Sequence, residues 1–326
     1  MPPPEDLWNL VNGYRVSQAI YVAATLGLAN ALADGPRTSA ELAGETDADP
    51  DALYRLLRAL ASVGVFYEDD ARRFSLTPLG EGLRSDRAGS IRGWAAFIGR
   101  PYYWQAWGNL LHSVQTGENA FRHVHGVDVW DYRTKHPEES PIFDRAMTDL
   151  TKRVTARVLE EYDFGRFGTI VDVGGGQGAL LTALLEANPG VNGVLFDQPH
   201  VVANASVPEN CRVVGGSFFE SVPEGGDVYL LKWIVHDWDD EEAIAILRAC
   251  RRAMSADAVV LLIERVVGEP NEDPATKFSD LNMLVSPGGR ERTVDEYAAL
   301  FDAAGLRLNT VSGGNPVSVI EALPHG

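Results

Sequence analysis

Val171-Asp172-Val173-Gly174-Gly175-Gly176-Gln177-Gly178-Ala179 runs from an apolar strand into a helix through four glycines in five residues. Glycine there lets a ligand approach the backbone and lets strand and helix pack closely. A dinucleotide fingerprint requires G-x-G-x-x-G, which seats a pyrophosphate on the helix N-terminus. The spacing is instead G-x-G-x-G, at Gly174, Gly176 and Gly178, with an acidic Asp172 inside the strand. That pattern favours a nucleoside-type ligand without a pyrophosphate and speaks against a nicotinamide dehydrogenase. The next apolar run ends Leu195-Phe196-Asp197. A carboxylate at a strand tip, about twenty residues past the loop, can accept both ribose hydroxyls. Asp197 also reads as a helix cap before Pro199, but loop and carboxylate in this order favour the ribose.

Around the loop, strands and helices alternate. Strands are expected at 169–173, 193–196, 212–215, 228–235 and 258–263, and helices at 180–187, 199–205, 239–254 and 293–304. Runs 306–311 and 316–323, about Gly313-Gly314, read as a closing strand pair. Alternation of this kind means an α/β, doubly wound, Rossmann-like domain with a mostly parallel sheet and an antiparallel final strand.

Upstream, 7–32 is helical with two apolar faces, Val16, Ile20 and Ala23 on one, Ala24, Leu28 and Ala31 on the other. One face suits the domain's own core and the other a partner subunit. Asp34-Gly35-Pro36 stops that helix, Thr38 to Glu41 opens a second, and Asp49-Pro50-Asp51 starts a third over 52–63. Short β-runs at 65–67 and 74–76 follow, and three helices with a hairpin make a winged-helix pattern. Four of the seven tryptophans, Trp94, Trp104, Trp107 and Trp130, crowd 94–130 with Tyr102 and Tyr103. Such density is either helical core or the lining of an aromatic-substrate pocket. A long helix is expected over 141–162. The division predicted is 1–92, winged-helix-like; 93–162, a helical linking region lining the acceptor pocket; and 163–326, the cofactor-binding domain.

The 326 residues carry a net charge of −18, from 46 acidic and 28 basic side chains. Such a chain repels phosphate backbones and anionic membranes, so neither nucleic acid nor a membrane is expected as a partner. Basic residues are scattered, with Arg251-Arg252 the densest spot in the second half. The winged-helix pattern therefore reads as a dimerisation domain and not as a DNA-sensing regulator. Cys211 and Cys250 are too few for a disulfide framework or a zinc cluster and fit a reducing cytoplasm. The start, Met1-Pro-Pro-Pro-Glu-Asp, is unlike a secretory leader, and the apolar stretch 16–33 reads as a core helix. Lysine occurs only at 135, 152, 232 and 277. Lys232 falls in an otherwise apolar strand, where an unpaired charge would be costly, so a partner or ligand is expected.

Together VDVGGGQG at 171–178, FFESVP at 218–223, LKWIVHDWDDEEA at 231–243, IER at 263–265 and DLNMLVSPGGRERT at 280–293 resemble the class I S-adenosylmethionine methyltransferases. More narrowly, the chain resembles the small-molecule O-methyltransferases typified by the plant caffeate, the acetylserotonin and the bacterial polyketide enzymes, over nearly its whole length. The resemblance implies a homodimer formed through the N-terminal domain, S-adenosyl-L-methionine as cofactor, no metal, and a hydroxyl of an aromatic metabolite as acceptor. It implies that Gly174, Gly175 and Gly176 pack against the cofactor's methionine part and that Asp197 holds its ribose. Phe218 stacks on the adenine, and Ser217 stands where the family usually has a carboxylate. Lys232 meets the cofactor end of the site. FDRAMTDLT at 143–151 matches the linking-helix motif, which places Arg145 and Thr151 at the cofactor carboxylate.

His236 follows the apolar run 228–235, at the strand end where doubly wound sheets bind ligands. The acids Asp239 to Glu242 after it read as a cap and a favourable first helical turn. A phenol is a poor nucleophile while protonated, with a pKa of about 10, and an imidazole can take its proton. By position and by resemblance His236 is that base, with Glu264 and Glu291 flanking it to fix the tautomer and stabilise the imidazolium. Trp104, Phe143, Met147, Asp237, Asn282 and Met283 are expected to line the acceptor pocket, although each also reads as ordinary core. A relative that binds the same cofactor but decarboxylates or hydroxylates is the competing reading; the intact His236, Glu264 and Glu291 argue against it.

Overall fold

The computed structural model describes residues 4–314 and 316–326. Residues Met1–Pro3 and Asn315 lie outside the described residues.

The chain packs as two compact units, one of residues 1–104 with 136–153, the other of residues 105–135 with 154–326. Of the stretch 93–162, residues 93–104 and 136–153 fall in the first unit and 105–135 and 154–162 in the second.

In the first unit the opening helix spans Pro4–Leu26. The single helix expected to Leu32 breaks at Gly27, which takes a left-handed φ of 69°, before a short turn at Leu28–Ala31. Arg92 donates from Nε to the carbonyl of Ala24, serving the orphaned helix end. Thr38 forms a full capping box with Glu41 for helix Ser39–Thr46, and Asp49 caps helix Pro50–Ser62. Strands β1 (Arg37–Thr38), β2 (Phe66–Glu68) and β3 (Arg73–Leu76) form a three-stranded sheet in the order β1-β3-β2. The expected hairpin is β2–β3; β1 is an additional edge too short to read from sequence. Leu28, Leu42, Leu57 and Phe74 are fully buried in this core. Leu7, Trp8, Leu10, Val11 and Tyr14 stand exposed on the first helix.

The second unit is built on strands β4 (Thr169–Val173), β5 (Asn192–Asp197), β6 (Cys211–Gly215), β7 (Val228–Lys232), β8 (Val259–Glu264), β9 (Leu306–Gly314) and β10 (Val317–Pro324). Their order is β6-β5-β4-β7-β8-β10-β9, and β10 alone runs against its neighbours. Helix Ala179–Ala187 lies against one face through Leu180, Leu181, Leu184 and Leu185. Helices Asp240–Ala253 and Val294–Ala303 cover the other through Ile246, Leu247, Tyr297 and Phe301. Near-continuous apolar strands such as Val259–Glu264 follow from burial on both faces. The helix expected over 199–205 is shorter, Pro199–Val202. None of the described helices is long and apolar enough to cross a membrane.

Candidate active site

The strand predicted over 228–235 ends at Lys232. At Trp233 the backbone turns with φ 54°, and Val235–Asp237 forms a single 3-10 turn. Glu264, at the tip of β8, is the cause. Its Oε1 accepts from the backbone N–H groups of Ile234 at 3.1 Å, Val235 at 3.0 Å and His236 at 3.4 Å, replacing the ladder partners those groups would otherwise have. His236 therefore sits on a turn beyond the strand, not on the strand itself.

The turn is held from below by the loop that follows helix Pro274–Val285. Arg292, fully buried, donates to the carbonyls of Val235 at 3.0 Å and Trp238 at 2.9 Å and to Asp240 Oδ1 at 2.7 Å. The Arg290 N–H donates to the His236 carbonyl at 2.9 Å. Gly289 lies so close that a Cβ there would fall 2.1 Å from the His236 carbonyl oxygen. Sequence reading passed over Arg292 and Gly289. Both sit in the Gly-Gly-Arg-Glu-Arg run whose Glu291 was singled out.

His236 is 8% exposed and has three acidic neighbours. Nδ1 lies 3.1 Å from Glu291 Oε1 and 3.7 Å from Glu264 Oε2, while Nε2 is 3.5 Å from Asp237 Oδ1. Ser279 donates to Glu291 Oε1 at 2.6 Å, and the Glu291 N–H donates to Asp280 at 2.9 Å. Glu291 Oε2 and Glu264 Oε2 are buried without hydrogen-bond partners. Burial by itself would strip the imidazolium proton, but Glu264, Glu291 and Asp237 outweigh it and push His236 up to about 10. Burial raises Glu264 to about 7 and Asp237 to about 6, whereas His236, against burial, holds Glu291 below the usual carboxylate range. Such an arrangement stabilises the imidazolium that forms when a neutral His236 takes a proton from a weakly acidic donor.

Beside it, the glycine loop takes left-handed φ values of 73°, 60° and 78° at Gly174, Gly176 and Gly178. A Cβ on Gly175 would strike the Asp172 carboxylate at 2.6 Å, and one on Gly174 would strike Ile234 at 2.4 Å. Gly176 faces open space, so its glycine serves backbone conformation and access. Its N–H donates to Asp197 Oδ2 at 2.8 Å, and the Gln198 N–H to Oδ1 at 2.6 Å. Asp197 thus sits at the tip of β5 against the loop, as its spacing predicted. Asp172 Oδ2 is buried with no hydrogen-bond partner, and burial raises the carboxyl to about 7. Burial also lowers Lys232, at the tip of β7, to about 8 against the pull of Asp172, Glu264 and Asp237. The Phe218 ring lies next to Gly174 and packs 5.9 Å from Trp238. Ser217 uses its hydroxyl to accept from the Phe219 N–H at 3.3 Å. These groups fit a cationic nucleoside: carboxylates for an ammonium and a ribose, an aromatic face for a base.

Trp107 belongs to this unit and donates from Nε1 to Asn282 Oδ1 at 3.1 Å; Met283 beside it is buried. Trp130 stacks on Trp238 at 6.0 Å. Trp104, Phe143, Met147, Arg145 and Thr151 belong to the first unit. There Phe143 packs on Phe97 at 5.4 Å, Arg145 pairs with Asp149 at 3.3 Å, and the Thr151 hydroxyl donates to the Met147 carbonyl at 2.7 Å. Their roles at the cofactor and acceptor remain expectations from the resemblance.

Residues 107–307 match the O-methyltransferase domain family and residues 8–86 the O-methyltransferase dimerisation domain. The chain belongs to the O-methyltransferase family. Phenazine O-methyltransferase PhzM of Lysobacter antibioticus is 44% identical, over 99% of this chain and 97% of the relative. A solved O-methyltransferase of neocarzinostatin biosynthesis, in complex with S-adenosyl-L-homocysteine and 1,4-dihydroxy-2-naphthoic acid, superposes with a TM-score of 0.81. It is 35% identical and covers 95% of this chain and 96% of its own. An 8-amino-8-demethylriboflavin N,N-dimethyltransferase of Streptomyces davaonensis is 37% identical, over 94% of this chain and 91% of the relative. The fold of this methyltransferase is accordingly the class I fold with an N-terminal dimerisation domain.

Proposed function

We propose that this methyltransferase acts as a homodimer, transfers the methyl group of S-adenosylmethionine to a phenolic hydroxyl of an aromatic metabolite, and uses His236 as general base. The observation that carries the reading is the buried imidazole with Glu291 on Nδ1, placed at the sheet's carboxyl edge beside the glycine loop. When bound, S-adenosylmethionine supplies an electrophilic methyl on a sulfonium. Asp197 holds the ribose, Asp172 faces the ammonium end, and Phe218 covers the adenine, with Ser217 offering a neutral contact in place of a charged one. Glu291 fixes the Nδ1 proton, so Nε2 is the atom that takes the phenol's proton.

A base held up to about 10 matches a phenol of pKa about 10, so the proton passes with little net free-energy change. The carboxylates of Glu264 and Glu291 stabilise the imidazolium that results. General-base help of this kind is worth roughly 10²–10⁴-fold, and alignment of oxygen with the methyl supplies the rest. The apolar residues exposed on the first helix, Leu7, Trp8, Leu10, Val11 and Tyr14, support pairing of two copies through the dimerisation domain.

The N,N-dimethyltransferase relative supports a second reading, an aromatic amine as acceptor. Calorimetric titration with S-adenosylhomocysteine, with NADH as control, tests the cofactor. Transfer of labelled methyl to hydroxyphenazines, dihydroxynaphthoates and their amino analogues then separates oxygen from nitrogen. Failure to bind S-adenosylhomocysteine overturns the reading.

A further inference from the structure

Three side chains outside the catalytic machinery form a second cluster on the unit that carries it. His112 lies on helix Leu110–Thr116, His123 on helix Ala120–His125, and Glu118 in the loop between them. His112 Nε2 lies 2.7 Å from Glu118 Oε2. The two imidazoles stack face to face, centroids 3.6 Å apart and planes within 16°. One donor atom from each of the three falls within 4.8 Å of the others.

The backbone fixes this juxtaposition. Gly117 ends the first helix with φ 78°, its N–H donating to Ser113, and Asn119 caps the second by accepting from the Arg122 N–H. The Asn119 amide donates to the carbonyls of Leu284 at 2.9 Å and Ser286 at 3.0 Å. The connecting loop is therefore tied down on the catalytic unit, and Glu118 is presented from an anchored turn.

We infer that His112, Glu118 and His123 form a binding site for a borderline divalent transition-metal ion such as Zn²⁺. Two imidazole nitrogens and one carboxylate oxygen are the donor set such ions prefer, and three protein ligands leave a position for water. Stacked rings set their nitrogens side by side; because imidazole lone pairs lie in the ring plane, the rings must swing out of the stack to aim at one ion, a rotation open to side chains that are partly or fully exposed. The ion braces helices Leu110–Thr116 and Ala120–His125, which sit against helix Pro274–Val285 through the Asn119 contacts and the Trp107–Asn282 hydrogen bond. The role is structural and lies apart from methyl transfer.

The test is calorimetric titration of untagged, chelator-stripped full-length enzyme with Zn²⁺, paired with Co²⁺ titration followed by its visible absorption. His236, Glu264 and Glu291 also bring donor atoms together, so H236A is titrated in parallel. The inference predicts one ion per chain in both wild type and H236A. It predicts a loss greater than about 100-fold in affinity in H112N and in H123N, exceeding the roughly 10–100-fold that loss of an outer-shell partner alone can cause. E118Q weakens binding without changing the stoichiometry, and Zn²⁺ raises the melting temperature of wild type but not of H112N. Apo melting curves of the three variants coincide with wild type, since the side chains are not core. Binding that survives in H112N and H123N but vanishes in H236A overturns the inference, as does the absence of any binding to wild type.

Discussion

Glu291→Gln keeps the side chain's size and its capacity to accept from Ser279, and removes one negative charge 3.1 Å from His236 Nδ1. At an effective dielectric constant of about 20, that charge attracts an imidazolium by about 5 kcal/mol. Desolvation of two buried ions offsets much of this. An opposite charge at such range moves a pKa by about 1–3 units. The pH dependence of kcat/KM reports the essential base of the free enzyme. In wild type its rising limb should therefore lie well above the ordinary imidazole range, toward the value of about 10 set by the three carboxylates. In E291Q the limb should move to lower pH by about 1–3 units, with a lower plateau because the imidazolium formed has lost a neighbour. Stability should follow the same linkage. A histidine raised from 6.5 to about 10 contributes stability that is full below 6.5 and lost as pH rises through 10. The melting-temperature deficit of E291Q should thus be largest near pH 6 and smallest above pH 10. The assay is methyl transfer across pH with a fixed phenolic acceptor, alongside thermal melts. A limb and plateau unchanged from wild type would refute the reasoning.

Arg292→Ala should destabilise by about 1–3 kcal/mol for the buried Val235 carbonyl it orphans, and by less for the partly buried one of Trp238, read by denaturant unfolding. Arg292→Lys should fold and lower kcat more than it weakens S-adenosylhomocysteine binding, because it loosens the His236 turn and leaves the glycine loop alone. Gly289→Ala would place a Cβ 2.1 Å from the His236 carbonyl, so the turn must shift; kcat should fall with cofactor affinity near wild type. Asp172→Asn removes a buried carboxylate raised from 3.8 to about 7. A raised acid costs stability progressively as pH climbs from 3.8 to 7, so D172N should gain on the order of 2–4 kcal/mol above pH 7 and almost nothing near pH 4. It should also lose cofactor affinity, which calorimetry measures.

The sheet was legible because its signals are local. Alternating apolar runs and the glycine punctuation of 171–179 locate β4 with its bounds, 169–173, unchanged. Asp197 followed from its spacing to the loop, and Thr38 and Asp49 were visible as caps because capping is chemistry within four residues. What escaped depends on partners distant in sequence. Nothing in Val228 to Val235 announces that Glu264 captures three N–H groups and ends the strand at Lys232. The break at Gly27 is served by Arg92, and the role of Arg292 appears only once the turn whose carbonyls it binds has formed. The identity of His236, Glu264 and Glu291 as a group was accessible through the family resemblance, but the charge favoured on the histidine shows only once the fold gathers Glu264, Glu291 and Asp237 around it, against the effect of burial.

Single-turnover methyl transfer by His236→Ala, measured beside its affinity for S-adenosylhomocysteine, tests the central claim most directly. The account predicts a rate lower by roughly 10²–10⁴-fold with binding close to wild type. A variant that transfers the methyl group at the wild-type rate would contradict it.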